Sequence, residues 1–441
     1  MSKKQGYVIS DLHIGGGTAS GGLDSFTQDE TFVQFVEEIT SPDTTLLING
    51  DFIDFVQIPP YDHPDEPSYL LWTEAVSATK LAHALAAHPQ CFDALRKFVK
   101  DGGGTLSIGV GNHDLDWVWP EVQGAFRHAM ADPPPERLQF AVDRAQVYER
   151  VHIEHGHSFT PENCPVDEWD FVHRWPDEPA GTRYLERVWG TDFMLHWWNE
   201  TKTKYRYADC VKPITKLIFD GPISLKDKAR ELVRMVLFLR RAGIPWTAVT
   251  SKVLAKPKEV DLFECLLAAV DPEDANALEE LVGTVAGFED AVRSACEDLS
   301  EEELAILAVT GEKVRLPPLG PEMEEVKTLG IVRPPPEERK AAEILRDPDR
   351  GITHVVFGHT HAPVDGNALG KGAKLYGCWF NTGTWQPFLN LKRTDVKMKV
   401  KASGITYEML EDEGLYDVSL RAVRIRPNPP NRATVELIPI G

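Results

Sequence analysis

Five short blocks of this sequence gather residue types that ligate metals or move protons: "DLH" (Asp11, His13), "GDFID" (Asp51, Asp54), "GNHD" (Asn112, His113, Asp114), "HGH" (His155, His157) and "GHTH" (His359, His361). In "DLH" and "GHTH" the paired residues are two apart, a spacing that in extended backbone sends both side chains to one side. Imidazole, carboxylate and amide oxygen together suit a transition-metal centre, and a histidine beside such a centre suits proton transfer. Glycines adjoin four of the blocks (Gly50, Gly111, Gly156 and Gly358), where the backbone has to turn or approach closely.

Something must bring these blocks together across more than three hundred residues. Each of the first four follows a short apolar run with the look of a buried strand: "YVIS", "TTLLING", "TLSIGVG" and "RVHIE". The fifth follows "ITHVVF". Helical patterns lie between the strands: "TQDETFVQFVEEI" with Thr27 and Glu30 spaced as a capping box, and "CFDALRKFVKDGGG" stopped by Gly102 to Gly104. Strand, helix, strand predicts an α/β fold. Loops at the carboxyl ends of such strands converge on one crevice, so five distant blocks can share one site.

The blocks in this order resemble the signature of the calcineurin-like metallophosphoesterase superfamily: D-x-H, G-D-x-x-D, G-N-H-D/E, H-G or G-H, then G-H-x-H. The resemblance covers residues 7 to 159 and 352 to about 386. It implies a two-sheet αββα core, two divalent transition metal ions (Mn, Fe or Zn), and hydrolysis of phosphate mono- or diesters with hydroxide as nucleophile. It places Asp11, His13 and His361 on one metal and Asn112, His155 and His359 on the other, with Asp51 bridging. Two such cations about 3.5–4 Å apart clamp a phosphate and offset the charge of in-line displacement. His113 is then the proton donor or transition-state stabiliser at the leaving oxygen, with Asp114 orienting it. Asp54 is expected to hold a ligand by hydrogen bond; the plainer alternative is a loop-capping aspartate. Of the three histidines in "HIEHGHSF", His155 matches the ligand position. His157 is surplus, lining the pocket or contacting phosphate, and His152 packs on the opposite face of its strand.

The 441 residues suggest two or three structural units. We expect the first part of the core over 1–166, a largely helical insertion or cap over 167–336, and the second part of the core over 337–441. Residues 169 to 207 hold five tryptophans, read as an aromatic core joining insertion to base, or alternatively as an apolar wall for substrate. "VKMKVK" at 396–401 alternates like a half-buried strand with a basic face. "NTGTW" (Asn381 to Trp385) could return a strand to the rim of the site.

The net charge of −21 disfavours loose attachment to nucleic acid. The N-terminus has no signal-peptide pattern, no apolar stretch approaches the roughly 18 residues of a membrane span, and the six cysteines form no CxxC pair, so cytoplasm is the expected compartment. Superfamily members resembling this pattern act on nucleotides, phosphoproteins, nucleic acids and lipid-linked pyrophosphates. Three other readings therefore accompany the phosphoesterase: a nucleotide- or lipid-linked sugar pyrophosphatase, a nuclease using the basic strand with Arg421, Arg424 and Arg426, and a non-catalytic scaffold.

Overall fold

In the computed structural model the described residues are 5–60 save 22, 72–159 save 144, 163–165, 170–174, 183–204 save 187, 224–243, 287–297 and 299. Beyond those come 335–389 save 372–373 and 393–441 save 404, 407–408, 411–412, 418–419 and 429–431. The chain forms two compact units: Met1–Leu195 with Arg333–Pro387 and Val418–Gly441, and His196–Val332 with Phe388–Asp417. The α/β unit thus extends to Leu195, past residue 167 where the sequence texture changes.

Two mixed sheets build the first unit. One runs β15-β14-β1-β2-β3-β4 and contains β1 (Gln5–Ile9), β2 (Thr44–Asn49), β3 (Thr105–Gly109), β4 (Leu138–Ala141), β14 (Arg421–Asn428) and β15 (Arg432–Pro439). Strands β1 to β4 are parallel, and β14 and β15 add antiparallel at one side. The other runs β10-β11-β9-β6-β5, from β5 (Gln146–Tyr148), β6 (Val151–Ile153), β9 (His354–Phe357), β10 (Val364–Lys371) and β11 (Lys374–Asn381), with β6, β9 and β11 parallel. A hairpin of β7 (Val172–Arg174) and β8 (Arg183–Leu185) stands apart.

Period-2 alternation divides the apolar residues among three cores. Ile9, Leu46, Ile48, Leu106 and Ile108 face helices α1 (Asp29–Ile39), α2 (Glu74–Ala87), α3 (Pro89–Lys100) and α4 (Pro120–Ala129). Val8 and Leu47 point the other way, onto Val151, Ile153, Val356 and Phe380 of the second sheet. Val355, Phe357 and Trp379 then meet α5 (Pro336–Arg346) on the far side. Burying these chains removes both faces of each sheet from water, at about 1.5–3 kcal/mol for each large apolar side chain.

Two sequence expectations are corrected. "VKMKVK" lies in a helix, Thr394–Ser403, not a strand. Val396 is buried while Met398 is 63% exposed, so the alternating positions do not share a face; 396 and 400 are one helical turn apart instead. The Thr27/Glu30 capping box does not form either. Helix α1 begins at Asp29 with Gln28 at the cap position and no side-chain cap bond.

The Asp29 carboxylate is committed elsewhere. His88, at the junction of α2 and α3, places Nδ1 2.8 Å from Asp29 Oδ1 and Nε2 2.9 Å from Asp24 Oδ2. Burial opposes its charged form, but Asp24 and Asp29 outweigh that and raise it to about 9. A raised folded-state value stabilises the protein fully below the ordinary histidine range, and the gain is lost as pH climbs through about 9. The difference in melting temperature between wild type and His88→Gln is therefore expected to be large at pH 6 and to shrink by pH 9.5. Thermal melts at the two pH values check it; a constant difference would mean that neutral hydrogen bonds alone hold the junction.

In the second unit, helices Leu225–Gly243 and Phe288–Glu297 agree with the helical periods of the sequence. Strands β12 (Phe388–Leu389) and β13 (Tyr416–Asp417) pair there. Residues 244–286 and 300–334 of the expected helical insertion lie outside the described residues. So do Trp169 and Trp175 and the side chains of Trp189 and Trp197. Phe171 and Leu185, from the same aromatic stretch, pack into the helix-side core of the first unit.

Candidate metal centre

The five blocks follow β1, β2, β3, β6 and β9, parallel strands whose carboxyl ends face one edge of the α/β unit. Loop joins loop by main-chain bonds there: Asp11 N–H donates to Gly50 O and His13 N–H to Asp51 O. Gly50 has φ 78°, and a Cβ on it would stand 2.7 Å from Gly111 N and from Val110 O, so no other residue lets the second and third blocks approach this closely. Gly358 presses on the first block in the same way, 2.6 Å from Asp11 Oδ2 to its ideal Cβ position.

Five of the site residues occupy left-handed backbone: Asp11 (φ 56°), His13 (52°), Asp51 (49°), His359 (67°) and His361 (59°). Each such residue costs of order 1–3 kcal/mol, and concentrations of this strain mark sites whose geometry serves function. Among the described residues, three sets of donors fall within 4.8 Å of one another: Asp11, His13 and His361; Asp51, His155 and His359; and His13, Asp54 and His113. Buried aspartate and histidine of this kind can hold a metal ion.

Asp51 Oδ2 is the link between the first two sets. It stands 3.6 Å from His13 Nε2 and 3.1 Å from His155 Nε2. His13 Nε2 is also 3.2 Å from His361 Nε2, and His361 Nε2 is 3.3 Å from Asp11 Oδ1. The far nitrogens of the two buried rings are tied down: His13 Nδ1 lies 3.2 Å from Asp54 Oδ2, and His155 Nδ1 donates to Asn49 O at 2.9 Å. Such ties fix the tautomer that turns the Nε2 lone pair toward the cluster. Asn112 Oδ1 is buried without a hydrogen-bond partner, and His155 Nε2 faces Asp51 Oδ2. An orphaned amide oxygen and an inward-turned imidazole beside three buried carboxylates fit a cation.

The charges are strongly coupled. Burial pushes the Asp11 carboxyl up, but His155 and His361 outweigh it and bring it to about 2; Asp51 is likewise held well below the usual range, by His155 and His113 against its burial. Burial disfavours charge on His155, yet Asp51 and Asp11 raise it to about 10. His359 goes the other way, to about 3, through burial and the charge of His155. His157 is buried with its ring centroid 5.6 Å from that of His155, and burial and its histidine neighbours hold it well below the ordinary range. His157 enters none of the three donor sets.

Two expected roles are redistributed. His113 Nδ1 lies 2.9 Å from Asp54 Oδ1, so Asp54, and not Asp114, orients the ring. Asp54 serves both histidines, one with each oxygen, and also accepts from Gln57 N–H as a loop cap. Asp114 accepts from four N–H groups instead: Gly111, Asp51, Phe52 and the Trp117 indole. Its carboxylate is a staple between the second and third blocks. Burial lifts it to about 7.

His152 places Nε2 2.7 Å from Glu154 Oε2, both side chains being buried. It takes no part in the three donor sets.

Sequence reasoning missed several supports. Lys80, 1% exposed, donates Nζ to Phe55 O, while Phe55 N–H donates to His113 O, so α2 braces the loop that carries Asp54. Asn163 Nδ2 is 3.4 Å from His359 Nε2. Neither residue stands in a motif, and no periodicity marks it. Asn49 could have been read from "NGD", as the polar end of a buried strand.

No family model, curated protein or solved structure matches this chain.

Proposed function

We propose that this protein hydrolyses phosphate mono- or diesters at a dinuclear metal centre, with Asp11, His13 and His361 holding one cation, Asn112, His155 and His359 the other, and Asp51 shared. The observation that carries the reading is Asp51 Oδ2, within 3.6 Å of His13 Nε2 and 3.1 Å of His155 Nε2, one oxygen between two donor sets. Bound Mn, Fe or Zn ions would supply Lewis acidity, an acidified water and charge neutralisation for the phosphoryl group. The residues of the chain supply the rest. Asp54 and Asn49 O orient the imidazoles, Asp114 fixes the backbone of Asp51, and His113 offers its second nitrogen to a leaving oxygen.

His113 is suited to that task by position. Its side chain keeps 12% exposure against 4% for His13 and 2% for Asp54, and its Nδ1 is committed to Asp54, so Nε2 is the atom a substrate can meet. Burial opposes its charged form, but Asp54 and Asp51 raise it to about 9, which favours a proton-bearing ring.

The pyrophosphatase and nuclease alternatives receive less support. Phe171 and Leu185, the parts of the 169–207 stretch described in the core, take no part in a wall, and Arg424 and Arg426 both pair with Glu436 instead of forming an open basic track. Protein dialysed against Mn²⁺ or Zn²⁺ is expected to retain close to two equivalents of metal and to hydrolyse p-nitrophenyl phosphate or bis(p-nitrophenyl) phosphate. Inactivity on both esters with each metal would overturn the proposal.

A further inference from the structure

Residues 381–385, "NTGTW", bridge the two sheets beneath the candidate centre. Strands β9 and β11 are parallel neighbours with Asn381 in register with Phe357, so the loops after them run side by side. Asn381 Nδ2 donates to Gly358 O at 2.7 Å and to Thr360 Oγ1 at 3.1 Å, while its Oδ1 accepts from Gly383 N–H. Thr382 N–H donates to Phe357 O. From there the segment crosses to the other sheet, where Thr384 Oγ1 and Trp385 N–H both donate to Asp11 O at 3.1 Å. Thr382 Oγ1 lies 2.5 Å from Ser10 Oγ, which donates to Asp11 Oδ2.

None of this faces a substrate: Ser10 and Asn381 are wholly buried, and Thr382, Thr384 and Trp385 are 3% exposed or less. What the segment touches are the strained residues. Asp11 is gripped at its carbonyl, and the turn carrying His359 and His361 at Gly358 O and Thr360 Oγ1; His359 N–H in turn donates to Asp11 Oδ1 at 3.0 Å. Left-handed residues other than glycine persist only where surrounding bonds over-determine them. A network with its donors and acceptors satisfied, as at Asn381, holds one arrangement.

We propose that Asn381 to Trp385 form a positioning clasp that keeps Asp11 and the 358–361 turn in the left-handed conformation, and thereby sets the affinity of the site for its cation. The inference rests on the metal-centre reading above. It assigns "NTGTW" to preorganisation of the site from behind, and not to contact with substrate at the rim.

The test uses the full chain, stripped with chelator and titrated with Mn²⁺, free Mn²⁺ being followed by electron paramagnetic resonance. Thr384→Val keeps shape and loses the hydroxyl, whereas Thr384→Ser keeps the hydroxyl. Outer partners of metal ligands typically control about 10–100-fold in affinity. Thr384→Val is accordingly expected to weaken Mn²⁺ binding about 10–100-fold, with a melting temperature close to wild type, and Thr384→Ser to restore it. Ser10→Ala removes the second tie to Asp11 and is expected to shift affinity in the same direction, which keeps the test alive if the valine variant does not fold. Wild-type affinity in both Thr384→Val and Ser10→Ala, or equal loss in the valine and serine variants, would overturn the clasp alone. Wild-type protein that takes up neither Mn²⁺ nor Zn²⁺ would overturn the metal-centre reading and the clasp with it.

Discussion

Under the proposed dinuclear reading, replacing His155 with alanine is expected to cost one of the two metal equivalents and nearly all of the proposed phosphoesterase activity. The ring is buried, its Nδ1 is held by Asn49 O, and its Nε2 is turned to Asp51 Oδ2 at 3.1 Å. No neighbouring side chain is free to take its place: His359 already belongs to the same donor set, and His157 stands outside it. Losing a partner one bond removed from a metal costs about 10–100-fold in affinity or activity, so removal of a direct donor is expected to cost at least about 100-fold. Metal analysis after dialysis, together with turnover of a nitrophenyl ester, reads both effects.

The neighbouring histidines provide internal controls. His157→Ala is expected to retain metal and to change mainly turnover. His152→Ala leaves Glu154 buried without its 2.7 Å partner and is expected to lower stability by about 1–3 kcal/mol while leaving metal content and activity nearly intact. Metal loss in His157→Ala with retention in His155→Ala would reverse the assignment.

Much of this site was legible in the sequence because it is built on strand ends. A buried parallel strand is a short apolar run, and the first polar residue after it must be where the crevice opens; that rule alone brings the residues after β1, β2, β3, β6 and β9 to one edge. Spacing could not tell which carboxylate reaches which ring. Asp114 is adjacent to His113 in sequence, yet the turn after Asn112 carries its side chain back onto the amides of Gly111, Asp51 and Phe52, and Asp54 arrives from another loop to take the ring.

Local patterns misled in two places where tertiary packing decided the outcome. Thr27 and Glu30 have capping-box spacing, but Asp29 between them is drawn to His88 from the α2–α3 junction, and the helix starts there. "VKMKVK" alternates in apolarity, but lysine and methionine are good helix formers and only Val396 finds a core to enter, so the alternation has no sheet face to satisfy. The role of "NTGTW" was hidden for a different reason. Its side chains bond to main-chain carbonyls of residues up to 373 positions away, and backbone acceptors leave no signature in composition.

His113 provides the sharpest separation of chemistry from metal binding. His113→Asn removes the titratable ring while leaving all seven proposed ligands in place, so kcat is expected to fall by about 10²–10⁴-fold, the usual contribution of a positioned proton donor, with metal content unchanged. The loss is expected to depend on the leaving group. A nitrophenolate departs without needing a proton, whereas a phenolate or alkoxide does need one, so the variant loses most on phenyl and alkyl esters and least on nitrophenyl esters. Asp54→Asn probes the same proton from behind, but it also releases His13, whose Nδ1 lies 3.2 Å from the second oxygen of Asp54. It is therefore expected to lower kcat and metal affinity together, where His113→Asn lowers kcat alone. A uniform loss across leaving groups in His113→Asn would show that the ring stabilises charge without donating a proton. Equal metal loss in both variants would mean that His113 belongs with His13 and Asp54 as a ligand set, the third grouping of donors within 4.8 Å at this site.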